Sequence, residues 1–188
     1  MLSHIRRIVA LGTLLAGAAA IASASELDGI LVPCGKGMCP WVKTKAAPPE
    51  GWVEDKEWTE RYQAVFFFEN DDHSPEKPLI YVRSHLGEEK VSLDAYVEGA
   101  QSSWKSSHKR SKIEPEADVP RDGKPTFKVF LYKNPDVKEQ AFELTAFTKD
   151  TDPSHGNATY FQQAVLVAPS MAALDAARPA FKALLGRL

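Results

Sequence analysis

The sequence predicts an α+β domain: an antiparallel sheet, largely a meander, covered by two amphipathic helices in an α/β/α sandwich-like arrangement. Three observations predict it. Leu93, Tyr96, Val97, Ala100 and Trp104 recur at the spacing of one helix face. Met171, Leu174, Phe181 and Leu184 do the same near the C-terminus. Between them, residues 113–167 break into short apolar runs separated by turn residues, as consecutive antiparallel strands do. Two apolar stripes need a surface to cover, and a sheet supplies one. On this reading the helices blanket the sheet and leave no hollow in which a reaction could be run.

Composition narrows the classes. The chain has 188 residues, 44% hydrophobic and 26% charged, which excludes a collagen-like chain, a coiled-coil rod and a mostly disordered one. Arg6 and Arg7, an apolar run from Ile8 to Ile21 and then Ala22-Ser23-Ala24 read as a signal peptide over residues 1–24, cleaved on export. The apolar run is too short for the roughly twenty residues a membrane-crossing helix needs, and no later segment is long and apolar enough. The mature chain is therefore expected in the periplasm or secreted. Removing residues 1–24 turns 23 basic against 25 acidic residues into 21 against 25. A mildly acidic balance argues against nucleic-acid binding.

Cys34 and Cys39 are the only cysteines, in Cys34-Gly35-Lys36-Gly37-Met38-Cys39. Export makes a disulfide between them the expected state. The spacing is not the C-x-x-C of a thiol oxidoreductase, and a zinc site would need two further ligands nearby. A small closed loop presenting Lys36 and Met38, followed by Trp41, is a candidate protein-binding surface; alternatively Trp41 folds back on the sheet as a lid. Some secreted lysozyme inhibitors present a similar C-x4-C loop, with a His that this one lacks.

The elements follow in order. Residues 25–51 read as an irregular segment ending in Pro48-Pro49-Glu50-Gly51, and residues 52–188 as a single α+β domain. Glu57–Glu69 reads as a strand whose last half is apolar on both faces, and Leu79–His85 as a second strand. Ser92 is placed to N-cap the helix that follows, with Asp94 in its first turn and His108, Lys109 and Arg110 near its end, as the helix dipole favours. Ile113–Val119 reads as an edge strand despite Pro115. Asp122-Gly123 signals a hairpin leading to the return strand Phe127–Tyr132. Ala141–Thr148 and Thr159–Val167 are two more strands. Pro169-Ser170 opens the last helix, which Pro179 is expected to kink.

The entry Pro49-Glu50-Gly51-Trp52, the paired early strands, the central helix, the meander and the closing Val165-Leu166-Val167-Ala168-Pro169-Ser170, then Leu174, Pro179 and Phe181, resemble the PsbP/DcrB-like α/β/α sandwich proteins over about residues 48–188. That family contains extrinsic subunits, secreted or periplasmic proteins and chaperone-like adaptors. The resemblance implies binding rather than catalysis and supplies no catalytic residues. The cysteine-bearing segment lies outside the shared pattern.

Glu69, Asp71, Asp72, His73 and Glu76 form the best metal candidate, with Asp71, Asp72 and His73 at its centre. Carboxylates and an imidazole suit a hard divalent ion, although the spacing of a calcium loop is absent and a solvated acidic turn explains the same residues. His155 with Asp150 and Asp152 invites the same comparison, and the two loops together would make a stronger site if the fold joined them. No G-x-S-x-G elbow is present. Lys105, His108, Lys109, Arg110 and Lys112 form a basic cluster that helix-end electrostatics largely explains. The expected function is that of a non-enzymatic binding or adaptor protein with an unknown envelope or secreted partner. The alternatives are a metal-binding protein or metal-dependent enzyme, and an inhibitor of a secreted hydrolase.

Overall fold

The computed structural model describes residues 27–34 and 37–188, with side chains at 27–29 and 42–188. The signal-peptide reading of residues 1–24, the residue Lys36, and the side chains of Cys34, Met38, Cys39 and Trp41, with the disulfide they concern, lie outside the described residues.

In chain order the strands are β1 Leu27–Cys34, β2 Gly37–Thr44, β3 Trp52–Asp55, β4 Val65–Glu69, β5 Leu79–Leu86, β6 Lys112–Pro115, β7 Val119–Arg121, β8 Lys124–Lys133, β9 Phe142–Asp152 and β10 Ala158–Ala168. The helices are α1 Lys56–Tyr62, α2 Leu93–Ser107 and α3 Met171–Leu185. β3 to β10 form an eight-stranded antiparallel sheet in the order β3-β4-β5-β10-β9-β8-β6, with β7 beside β6 on the outer edge of β8. The meander β8-β9-β10 follows from its short turns, and β5 enters beside β10, so the longest strands are central.

Successive side chains on a strand alternate faces, and here both faces are used. Ile80, Val82, Leu144, Ala146, Ala164 and Leu166 point to one face, where Leu174, Ala177, Phe181 and Leu184 of α3 cover them. Phe147 and Phe161 point to the other face and meet Tyr96 of α2. The sheet is thus sandwiched, and β4 shows why its sequence is apolar throughout: Val65 and Phe67 join the α3 side, Phe66 and Phe68 the other. Ser92 and Ser170 cap α2 and α3, each accepting from the amide three residues on, at 3.1 Å. α3 runs on through Pro179, which is exposed. Among the described residues no helix is long and apolar enough to cross a membrane.

Three local expectations are corrected. The strand expected from Glu57 begins as a helix. Asp55 accepts from the Trp58 amide at 2.8 Å, an N-cap bond, and Gln63 closes α1 in the left-handed region at φ 54°. Trp58 and Tyr62, four apart, then lie on one side against Phe66; that spacing fits helix and strand alike, and the cap decided it. The segment expected to be irregular pairs instead as the β1–β2 hairpin, from Leu27↔Thr44 to Cys34↔Gly37. Its base is held by a Thr44–Ser84 hydroxyl contact of 2.6 Å and by Leu27 and Val42 against Tyr160, covering the part of the face that α3 leaves. The edge strand expected over residues 113–119 is split into β6 and β7. Between them the Glu116 amide donates to the Val129 carbonyl at 2.9 Å.

Candidate functional site

α2 meets the sheet through two aromatic contacts. Near its start Tyr96 stacks on Phe161, ring centroids 4.2 Å apart. Near its end Trp104 stands edge-on to Tyr132 at 5.3 Å and stacks with His108 at 4.0 Å. Over the cavity between them the helix presents the short side chains of Ala100 and Ser103. Large rings at both ends and short side chains in the middle hold helix and sheet apart. A cavity of about 270 Å³ opens there, with Ala100, Ser103 and Ser107 among its upper lining and Trp104 and His108 at one end. This corrects the expectation of a fully blanketed sheet.

The floor is polar. Tyr81 and Arg83 come from β5, Gln163 from β10, Glu143 and Thr145 from β9, and Tyr132 from β8. Strand register places them: Tyr81 and Thr145 both pair with Val165, Arg83 pairs with Gln163, and Glu143 pairs with Tyr132. All six therefore project from one face of the sheet.

Glu143 and Arg83 set the electrostatics. Glu143 is 6% exposed. Burial pushes its carboxyl up to about 7, with the Arg83 charge opposing in part. Among the described residues no hydrogen bond or ion pair reaches the Glu143 side chain. Arg83 donates Nε–H to Gln163 Oε1 at 2.7 Å, and among the described residues its terminal guanidinium nitrogens have no protein acceptor. Burial raises the Tyr81 and Tyr132 hydroxyls, and the Glu143 charge adds to both, so both stay protonated. The cavity thus holds two unpaired opposite charges among neutral hydroxyls and an amide. Near neutrality Glu143 can accept or donate a proton.

Above the floor, Trp104 Nε1 is buried without a partner among the described residues, and Gln101 faces the Tyr132 hydroxyl. An unpartnered donor costs about 1–3 kcal/mol, and costs of this kind are tolerated most readily at working sites.

No family model and no curated protein matches this chain. Its site is read from geometry alone.

The residues expected from sequence fall elsewhere. His73 stacks on Phe68 at 4.0 Å, with Asp71 Oδ1 3.2 Å from Nε2 and Asp55 Oδ2 3.4 Å from Nδ1. Asp72 instead accepts from the Ser74 amide at 3.0 Å, and bonding to Ser74 holds its carboxyl below the usual range. Among the described residues no group of three or more His, Cys, Asp or Glu is arranged to hold a metal ion. The two acidic loops do not converge. Leu79 pairs with Val167 and Leu86 with Tyr160, so the loop before β5 and the loop before β10 lie at opposite ends of these strands.

In the second loop, Ser154 Oγ and Asp152 Oδ2 both approach His155 Nδ1, at 3.1 and 3.0 Å. A catalytic triad needs the serine and the acid on different ring nitrogens. Asp152 also caps the short 3₁₀ turn Pro153–His155, which explains the arrangement. The basic cluster is dispersed: Arg110 pairs with Asp136, and His108 Nδ1 lies 3.1 Å from the Trp104 carbonyl. A second hollow of about 300 Å³ is lined by Arg110, Lys112, Lys133, Asn134 and Phe142. Two of its three cations are already paired, with Asp136 and Glu114.

Sequence reasoning missed Arg83, Glu143 and Gln163. The available signal was a charged or amide side chain inside otherwise apolar strands, which indicates either a solvated face or a lined cavity.

Proposed function

We propose that this chain is an exported, non-enzymatic binding protein of the periplasm or extracellular space, and that a small polar ligand binds in the cavity under the C-terminal half of α2. One observation carries the reading: Arg83 and Glu143 share a hollow, are both desolvated in part, and are not paired with each other. Buried charges are ordinarily paired, so a ligand that completes both explains their retention. The volume lies near the lower end for small-molecule clefts, which favours a compact ligand. The export signal read in residues 1–24 and the resemblance to PsbP/DcrB-like proteins support the compartment and favour binding over catalysis.

The test is a thermal-shift screen of the mature chain against amino acids, organic acids, amines, sugars and nucleosides, with hits measured by calorimetry. Ala100→Trp, which fills the cavity, is the control. Saturable binding that this variant abolishes is expected; no stabilisation by any class would reject the reading.

A second reading, inhibition of a secreted hydrolase, is favoured by the hairpin. Its base is tied to the sheet at Thr44, while the Cys34↔Gly37 pair lies at the far end of an unbroken pairing. Activity assays on lysozymes and proteases, with and without the protein, decide it. Inhibition lost in a Lys36/Met38/Trp41 alanine triple is the supporting result.

A further inference from the structure

We infer that the ligand is a zwitterion of α-amino-acid size, its carboxylate held by Arg83 and its ammonium by Glu143. The inference rests on the binding reading above and specifies its chemistry. The register separates the two charges. Arg83 lies opposite Gln163, and Glu143 opposite Val167, on the two flanks of β10. Four residues along and two strands across place their Cα atoms roughly 16 Å apart. Both side chains enter the same cavity, yet no ion pair joins them among the described residues. A molecule carrying one charge leaves the other stranded in a desolvated place. A molecule carrying both, a few ångströms apart, completes the two together.

The donor geometry agrees. Gln163 engages the Nε–H of Arg83, which fixes the guanidinium plane and leaves the terminal nitrogens to form a fork on a carboxylate. An ammonium presents three donors and no acceptor, matching a carboxyl that no protein donor reaches among the described residues. Tyr81 and Thr145, both opposite Val165, lie between the two charges, and Tyr132 lies beside Glu143 on the next strand. Trp104 and His108, stacked together at one end, are placed to meet the ligand's side chain.

The experiment is calorimetry on the mature protein with a panel of L-α-amino acids, each compared with its deaminated acid and its decarboxylated amine, and with glucose and succinate. At least one amino acid is expected to bind more than tenfold tighter than both of its single-charge analogues. Arg83→Gln and Glu143→Gln are each expected to weaken it more than tenfold, and Arg83→Lys to restore only part of the loss. Circular dichroism melts of each variant establish that it is folded. Binding of a sugar or a dicarboxylate in the cavity, with no preference for amino acids, would overturn the inference and leave the binding reading intact. No binding by any class would overturn both.

Discussion

Arg83 and Gln163 face each other across the β5–β10 ladder, and the guanidinium Nε–H donates to the amide oxygen at 2.7 Å. A long cation is thereby held in one plane at the cavity floor. Gln163 is 7% exposed, so its own motion is restricted as well. Gln163→Leu removes this support without adding a charge. It is expected to cost about 1 kcal/mol of stability, as loss of one hydrogen bond does. Ligand affinity is expected to fall at least fivefold, and urea denaturation with calorimetry reads the two effects separately. Unchanged affinity would show that Arg83 needs no such positioning.

Glu143 makes stability depend on pH. Arg83 and Tyr81 of β5, Tyr132 of β8 and His108 of α2 are the titratable groups sharing its cavity. Its carboxyl titrates near 7 in the fold and at its ordinary value of 4.5 in the unfolded chain. Between those values the folded chain holds one more proton than the unfolded chain, so this group's contribution to stability falls as pH rises. The full loss above pH 7 is on the order of 3 kcal/mol. Glu143→Gln is expected to flatten the profile between pH 5 and 7 and to be the more stable protein at pH 8. Parallel wild-type and variant profiles would remove Glu143 as the cause.

Gly87 sits against the ring of Phe161. A Cβ there would lie 2.7 and 2.8 Å from two of its ring carbons, and that ring is buried and stacked on Tyr96. The backbone conformation of Gly87 imposes no requirement of its own, so the cost is one of contact. Gly87→Ala is expected to destabilise by about 1–3 kcal/mol, the usual range for overpacking, seen as a lower melting temperature. Adding Phe161→Leu to it should recover part of the loss; a double variant no better than the sum of both would refute the contact.

Arg121 is a buried charge on the opposite face. Its Nη2 reaches Asp150 at 3.1 Å and Thr148 Oγ1 at 3.2 Å, its Nε reaches the Pro125 carbonyl at 2.7 Å, and its guanidinium lies over Phe127. Arg121→Ala strands Asp150 and empties the site, at a cost of about 3–5 kcal/mol. Asp150→Asn keeps the two remaining acceptors of Arg121 and is expected to cost less. Chemical denaturation of the two variants gives the order, and the reverse order would contradict the geometry.

The amphipathic stripes of α2 and α3, the serine caps and the Asp122-Gly123 turn were legible because each is a local relation. Helical spacing, a cap bond and a turn dihedral involve residues within a few positions of one another. Gly123 takes φ 66°, as a turn of that kind requires. α1 was not legible, since Trp58 and Tyr62 satisfy either periodicity and a single bond from Asp55 to the Trp58 amide breaks the tie. The hairpin at residues 27–44 was missed because its base is held by Ser84 and Gln162, far away in the chain.

By itself the sequence determined the fold class, the two main helices and the alternation that gives the sheet two buried faces, because short-range periodicity records which side chains must leave water. Tertiary structure alone decided that Arg83, Glu143 and Gln163 meet under α2. They come from three strands brought side by side by pairing, and their separation in sequence carries no trace of that pairing. It also decided that a hollow exists there, since the gap depends on where Tyr96 and Trp104 come to rest on rings from β8, β9 and β10. Packing is a relation among distant residues, and only the assembled sheet expresses it.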